Sequence, residues 1–429
     1  MTIAQLHERF LACTGTCTDT RQITAGSLFF ALKGPNFDAN AYAAQALEKG
    51  CRYAVVDDPA VAVDDRYLLV PDVLKALQDL ATHHRRQFGI PVVAITGSNG
   101  KTTTKELVHA VLSADRPTLA TTGNLNNHIG VPLTLLRLME EHRIAIIEMG
   151  ANKVGDIAEL TAIAEPTHGL ITNIGRAHLE GFGSFEGVIT AKTELYGWVK
   201  DHDGALFVNG DDPLLMRHSE GLRRVIYGNS EAFDTRGSLA EAGPFLGVAF
   251  RGQDEATHTA RTRLVGGYNL PNALAAIAIG QHFGVKDATI KQALEAYSPG
   301  NNRSQFVDTG RNQLVLDAYN ANPTSMKAAL ENFAAMTSDC PKLAILGGMK
   351  ELGPDSPAEH QAVVDLVQAL GLEAIYVGPE FLELGPAGAL TYCTAEEALN
   401  ALQERPVEGR LILVKGSRGT KLEGVVPAL

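Results

Sequence analysis

At 429 residues the chain exceeds what one hydrophobic core ordinarily organises, and about three domains are expected. Its 45% apolar and 20% charged residues, with 42 glycines, fit a soluble α/β enzyme rich in strand-to-helix turns. A net charge of −12 excludes nucleic acid as a general partner, because a phosphate backbone rewards basic surfaces. An acidic chain can still hold a small anion through helix N-termini, glycine loops and single arginines.

The cysteines (Cys13, Cys17, Cys51, Cys340, Cys393) are few and odd in number, and none forms a C-x-x-C pair. A reducing cytoplasm is the expected home. Cys13 and Cys17 are spaced to share a helix face, yet no matching His or Cys pair follows, so structural zinc is not expected. Neither a secretory segment nor a membrane anchor is indicated, since the chain has no basic stretch leading into an apolar core and no apolar run of spanning length.

In chain order, residues 26–32, 53–56 and 67–70 read as buried strands with a helical stretch at 41–49, a small α/β unit. A polar helix carrying His83, His84, Arg85 and Arg86 closes it. Adjacent residues on a helix point different ways, so a solvated face near a domain joint is expected there rather than a metal site. Residues 92–95 then read as a strand, 97–100 as a tight loop and 101–112 as a helix. The stretch Thr96-Gly-Ser-Asn-Gly-Lys-Thr102 is a phosphate cradle: glycines turn N–H groups inward, the helix N-terminus faces the anion, Lys101 reaches outer phosphates, and the Thr102 hydroxyl suits magnesium. It is shorter than the G-x-x-x-x-G-K-[ST] form, which would need glycine at Ile95. The competing reading is a glycine turn with a solvated lysine.

Between Gly123 and Gly130, Asn124, Asn126 and Asn127 exceed what a turn requires and suggest contact with a polar ligand. The apolar strand from 143 ends in Glu148. At a carboxyl end in a parallel sheet, that acid is read first as a magnesium ligand and second as a salt-bridge partner. A strand at 170–172 leads into a glycine-punctuated loop at the same rim, where His178 is either a hydrogen-bonded loop histidine or a group at the metal or phosphates. Lys192 lies on an amphipathic helix and from pattern alone is a surface lysine. Short strands and turns fill 205–263, with a turn at 209–213. The segment 266–272 opens an Ala-rich helix that Asn269 is placed to cap, with Asn272 one turn inside.

Residues 297–302 read as a linker. Beyond it, strands at 313–317, 343–346, 374–377 and 410–414 alternate with helices at 323–336, from 356 and from 394. Ser356-Pro-Ala-Glu359 reads as a capping box with proline in the first helical position. The expected fold is α/β with a mostly parallel sheet.

Taken together, Thr96–Thr104 with Glu148, His178, Lys192, Asn269 and Asn272 resembles the Mur ligases, ATP-dependent amide-forming enzymes of peptidoglycan precursor synthesis. Five stretches in the right order carry the likeness: Gly123–Leu136, Ala177–Gly183, Asp317–Pro323, Leu346–Gly353 and Lys415–Gly419. They point to the branch that adds D-alanyl-D-alanine to a UDP-N-acetylmuramoyl tripeptide. The resemblance implies a small N-terminal UDP-substrate domain (1–86), a central ATP-binding domain (87–298) and a C-terminal Rossmann-like domain (299–429). It implies that Gly97, Ser98, Asn99, Gly100, Lys101, Thr102 and Thr103 hold the ATP phosphates, with Thr102, Glu148 and His178 around Mg2+. Lys192 matches the lysine that the family carbamoylates, which would let it help hold a second magnesium. Asn269 and Asn272 would face adenine, and Arg303 and Asp317 would reach the phosphates and ribose. Asp19, Thr20 and Arg21 match the signature at the uridine diphosphate end. Asn124, Asn126 and Asn127 favour a muramoyl peptide, and Tyr319, Asn320, Lys415, Ser417 and Arg418 would lie near the dipeptide.

The catalytic set so implied is Lys101, Glu148, His178 and Lys192, in a cytoplasmic monomer that works on small molecules and contributes to cell wall, cell shape and division. Departures occur at Asp38-Ala-Asn40, where Asp-Gly-His is usual, at Tyr268 in place of a common histidine, and at His128 where an acid is frequent. Competing classes are another Mur-type or folylpolyglutamate-type ligase, a P-loop ATPase, and a nucleotide-binding protein that has lost catalysis.

Overall fold

The computed structural model describes residues 1–176, 179–240, 243–300 and 302–429, with Leu179 described by its backbone alone. The strands gather into three sheets and one short hairpin. The largest has nine strands. Val92–Thr96 lies inside it, flanked by Ile144–Glu148 on one side and His168–Ile171 on the other. Thr118–Ala120 closes the first side, and Ala205–Asn209, Arg224–Gly228 and Thr235–Leu239 continue the second, all parallel. Phe245–Arg251 and Thr257–Val265 then add an antiparallel edge. From Val92–Thr96 the chain goes to one side, through Thr118–Ala120 and back to Ile144–Glu148, and then crosses to His168–Ile171 on the other, so a crevice opens at the carboxyl ends of these strands, where ligands of open α/β sheets collect.

Valine and isoleucine fill the inner strands because both faces are covered, and every residue of Val92–Thr96 and Ile144–Glu148 is buried. Lys101–Ser113 and Leu270–His282 share one face. They pack closely because a Cβ at Gly280 would stand 2.6 Å from Val111 Cγ1. Val73–Arg85, Gly130–Leu135, Asp156–Ala164 and Phe185–Asp201 cover the other face, in a core that continues into the N-terminal sheet. That sheet has four parallel strands, Thr16–Cys17, Leu28–Phe30, Tyr53–Val56 and Tyr67–Leu69. The third sheet runs Gln305–Asp308, Gln313–Asp317, Leu411–Lys415, Lys342–Gly347, Glu373–Val377, Leu390–Tyr392, with only the first strand antiparallel. Its register sets Asp317 opposite Lys415 at the carboxyl ends.

Four local expectations are corrected. The helix ending at Arg85 is solvated on one side only: Arg86 is exposed and His83 half-buried, but the two residues between them turn inward. His84 is 4% exposed and shares its ring nitrogens with His7 and the Leu138 carbonyl, while the Arg85 guanidinium donates to the carbonyls of Ala164, Phe88, Ile90 and Glu165. Burial against the central layer overrode a polar pattern. Ser356 heads no capping box: the 3-10 turn Gly353–Asp355 runs straight into the helix, and Ser356 Oγ pairs with His360. Asn269 does not cap Leu270–His282, because a 3-10 turn at Gly267–Asn269 leads in and its carboxamide bonds elsewhere. Cys13 follows the helix Ile3–Leu11 while Cys17 lies on a strand, so they share no helix face.

Candidate active site

The phosphate loop is shaped by two glycines. Gly97 has φ +142°, and a Cβ there would fall 2.0 Å from Thr172 Oγ1; Gly100 at φ +79° makes the left-handed turn into Lys101–Ser113. The loop is tied to the neighbouring strand end. Asn99 N donates to Asn173 Oδ1 (3.0 Å), and Asn99 O accepts from Thr172 Oγ1 (2.6 Å) and Asn173 Nδ2 (2.9 Å). Ser98 Oγ donates to Gly175 O at 3.0 Å. Lys101 Nζ donates to Gly97 O (2.6 Å) and Ser98 O (3.2 Å), so its ammonium lies across the loop mouth. Burial pushes its pKa down to about 8, against the pull of the Glu148 carboxylate and with the repulsion of Arg303.

Glu148 ends its strand beside this loop and is 2% exposed. Its Oε1 accepts from Thr102 Oγ1 (3.1 Å) and Asn126 Nδ2 (2.8 Å), while its Oε2 is buried with no donor among the described residues. A buried carboxylate oxygen left over beside a threonine hydroxyl is a hard-oxygen donor set, and it fits Mg2+. Lys192 is 2% exposed, which overturns the surface reading: its side of Phe185–Asp201 faces inward. Burial first, and then repulsion from Lys101, bring its pKa down to about 7, opposed by Asp156 and Glu194. Those acids are engaged with backbone: Glu194 accepts from Gly155 N and Ala158 N, and Asp156 from Asn152 N and Lys153 N. His178 lies outside the described residues.

The third sheet supplies the far wall of a cleft of about 1240 Å3. Lys415 Nζ donates to Asp317 Oδ2 at 2.5 Å, Arg303 stacks on the Tyr319 ring at 3.7 Å, and Asn322 Nδ2 donates to Asn99 Oδ1 at 2.7 Å. Asn322 also caps Pro323–Ala335 through its Oδ1, so one side chain starts that helix and touches the phosphate loop. On the near wall, Asn272 Oδ1 accepts from Thr104 Oγ1 (3.0 Å) and its Nδ2 donates to Asn269 Oδ1 (2.8 Å).

Comparison with known proteins identifies the chemistry such a cleft serves. Family models match residues 13–85 ("Mur ligase family, catalytic domain"), 95–280 ("Mur ligase middle domain") and 302–418 ("Mur ligase, glutamate ligase domain"). The chain belongs to the Mur ligase family. Among relatives, the UDP-N-acetylmuramoyl-tripeptide--D-alanyl-D-alanine ligase of Bacillus subtilis is 35% identical across 97% of this chain and 93% of its own. The Escherichia coli protein of that name is 37% identical across 96% and 92%. A crystal structure of MurF from Acinetobacter baumannii superposes with a TM-score of 0.87 at 33% identity, covering 99% of this chain and 98% of that one. The MurF ligase of Thermotoga maritima in complex with ADP gives 0.86 at 27% identity, covering 98% and 97%.

Of the residues expected from the Mur ligase likeness, the cleft brings together Ser98–Thr103, Asn124, Asn126, Asn127, Glu148, Asn269, Asn272, Arg303, Asp317, Tyr319, Asn320 and Lys415. Gly97 lies just beneath, and Asn126 spends its amide on Glu148. Asn127 Oδ1 accepts from Ile129 N and Gly130 N, the ordinary turn role. Ser417 stands behind the wall, donating to Ala321 O and accepting from Lys350 N, and Arg418 pairs with Glu423. Asp19, Thr20 and Arg21 are not on this cleft. Arg21 binds Asp19 through Nε and Nη2, holding that carboxyl down to about 2. At the divergent 38–40 stretch Asn40 turns inward, its Nδ2 donating to Asp38 Oδ1 and Asp57 Oδ1. Sequence reasoning gave no role to Asn173, Tyr268 or Ser304, which also line the cleft; Asn173 had a signal, standing directly after a strand at the ligand rim.

Proposed function

We propose that the chain joins D-alanyl-D-alanine to a UDP-N-acetylmuramoyl tripeptide, consuming ATP and giving the pentapeptide precursor of peptidoglycan. The observation that carries this reading is the buried Glu148–Thr102 pair beside the Lys101 loop, on a chain collinear with full-length ligases of that activity.

A carboxylate does not accept an amine until one oxygen becomes a good leaving group. A tripeptide carboxylate oxygen attacks the γ-phosphorus of ATP, the bond to ADP breaks, and an acyl phosphate forms. Lys101 and the N–H groups of the 97–103 loop neutralise charge on the transferring phosphoryl group, and Arg303 adds a cation from the far wall. The dipeptide amine then attacks the carbonyl carbon, loses a proton, and inorganic phosphate leaves. Mg2+, held by Thr102, Glu148 and His178, would screen the phosphate oxygens. Lys192 suits carbamate formation, since carbon dioxide adds only to a neutral amine and this one is already shifted to about 7. Asn269 and Asn272 face the adenine side, Asp317 the ribose, Tyr319, Asn320 and the Lys415–Arg418 turn the dipeptide, and Asp19–Arg21 the uridine diphosphate end.

Residues 1–86, 87–298 and 299–429 act as three domains, and the 299–429 unit closes on the loop through Asn322 and Asn99 to keep water from the acyl phosphate. The protein works as a cytoplasmic monomer. All five cysteines are free, as a reducing compartment would keep them, and no helix among the described residues is long and apolar enough to cross a membrane.

The test uses tripeptide labelled with 18O in its terminal carboxylate. One labelled oxygen should appear in the inorganic phosphate, together with pentapeptide, only when ATP and D-alanyl-D-alanine are both present. Unlabelled phosphate would end the acyl-phosphate reading. Phosphate released without acid or amine would make the chain a P-loop ATPase.

A further inference from the structure

Where the chain leaves the nucleotide wall and enters the third sheet, two residues without an assigned role meet. Tyr268, the position where the family commonly has histidine, places its hydroxyl 3.0 Å from Ser304 Oγ, and the same Oγ accepts from Asn269 Nδ2 at 3.1 Å. Ser304 is 4% exposed, and each of its polar atoms is engaged. Its N–H donates to Asp317 Oδ1 (3.4 Å) and its carbonyl accepts from Val265 N (3.1 Å). Its φ of +46° is a left-handed conformation uncommon for a residue with a Cβ, and such strain persists only where the surroundings fix it. A continuous chain of hydrogen bonds results. It runs from Thr104 on the phosphate-loop helix through Asn272, Asn269 and Ser304 to Asp317, which Lys415 pairs at 2.5 Å.

We propose that Tyr268 and Ser304 form a hinge clasp, a positioning pair that orients the Asn269 carboxamide for nucleotide and fixes the Asp317 strand end against the same ligand. The argument is one of valence. Asn269 Nδ2 has two acceptors, Val265 O at 2.9 Å and Ser304 Oγ at 3.1 Å, which together leave its Oδ1 aimed at Asn272. Without Ser304 Oγ one acceptor goes, and the amide plane is held by Val265 O and Asn272 Nδ2 alone. Without the Tyr268 hydroxyl, Ser304 loses the partner that selects its rotamer. The clasp acts through Asn269 and Asp317 and touches no reacting atom. It rests on the nucleotide roles proposed above for those two residues.

The experiment measures the ADP dissociation constant by calorimetry with magnesium, which needs no turnover, and the ATP KM and kcat beside it. The variants are Tyr268→Phe, Ser304→Ala, their double, and Ser304→Gly, whose backbone takes the left-handed turn without strain and so does not fail for lack of folding. Each single change should weaken ADP by about three- to tenfold, the value of one buried hydrogen bond, with the ATP KM rising in step and kcat changing less. The double variant should be no weaker than Ser304→Ala, because both remove one unit. ADP affinity within twofold of the parent in both Tyr268→Phe and Ser304→Gly, or losses that simply add, would overturn the clasp. A parent chain that binds ADP in this clasp-dependent way yet forms no pentapeptide would overturn the ligase reading and leave the clasp standing. A parent chain that binds no ADP would remove both.

Discussion

The rim of the central cleft and the loop at 19–21 are both polar, and they are built in opposite ways. At the rim, side chains are buried or half-buried and bonded across long stretches of sequence: Thr102 to Glu148, Thr104 to Asn272, Asn99 to Asn322. At 19–21 the pair is between residues two apart, and the Arg21 side chain is 85% exposed. The difference is one of environment. Low-dielectric surroundings shift Lys101 and Lys192 far from ordinary lysine and leave a Glu148 oxygen without a donor among the described residues, whereas water screens Asp19 and Arg21. The rim is therefore preorganised for charge that arrives with a ligand, and the loop offers a cation that any ligand must compete for.

If that contrast holds, the largest loss comes from Lys101→Ala. It should lower the rate of phosphate release by about 10^3-fold or more, the scale on which single cations act in phosphoryl transfer. Labelled-phosphate assays at saturating ATP check it, and a loss of only a few-fold would break the comparison at its strongest point. Glu148→Gln comes next. It keeps the shape, removes the charge, and places an amide beside the Asn126 and Thr102 donors, so activity should fall by about 10^2-fold with a raised magnesium requirement. A magnesium titration of kcat/KM separates this from misfolding.

Lys192→Ala should cost about as much, about 10^2-fold, but with part of the loss recovered by added formate or acetate standing in for a carbamate. Full activity without additive would remove the carbamate role. The pH dependence carries a definite sign. With the amine at about 7 instead of the ordinary 10.5, its proton leaves as pH rises through 7, so the 13C signal of a lysine carbamate should grow across that range and fade below it. Between about 7 and 10.5 the unfolded chain holds a proton that the native chain has lost, so this group makes stability climb with pH there. Lys192→Met should flatten that climb in chemical-denaturation curves taken pH by pH.

Much of the rim was legible in the sequence because each piece has a local signature: strand, glycine turn and helix for 92–113, and a carboxylate closing an apolar run at Glu148. What was not legible depends on what packs against an element. Lys192 sits in an amphipathic pattern that reads as solvated, and only the covering of its helix shows it buried. His84 and Arg85 misled in the same manner, since carbonyls of the central layer replace water around them. Asn269 looked like a cap because its position before the helix is right. Of its partners, Asn272 stands at helical spacing three residues on, but Ser304 comes from a distant segment, and no spacing rule joins 269 to 304. The third-sheet wall was legible as motifs, but the Asn322–Asn99 contact spans 223 residues and belongs to tertiary structure alone.

The smallest expected effect is also the one that most sharpens the comparison. Arg21→Ala removes a cation whose partner in the free protein is Asp19, an exposed pair that contributes little to stability, so the thermal midpoint should not move. A diphosphate arriving at this loop would draw the guanidinium from a single carboxylate to an anion of higher charge. The KM for the UDP-linked tripeptide should therefore rise by about three- to tenfold, with kcat and the ATP KM unchanged. Because the contact is solvent-exposed, the ratio between parent and variant should shrink as salt is raised through the range where the Debye length falls from about 10 Å to 3 Å, while the Lys101→Ala deficit stays constant. A salt-independent Arg21 effect, or one that appears in kcat, would mean that the loop shares the buried electrostatics of the rim and that the two regions are one site.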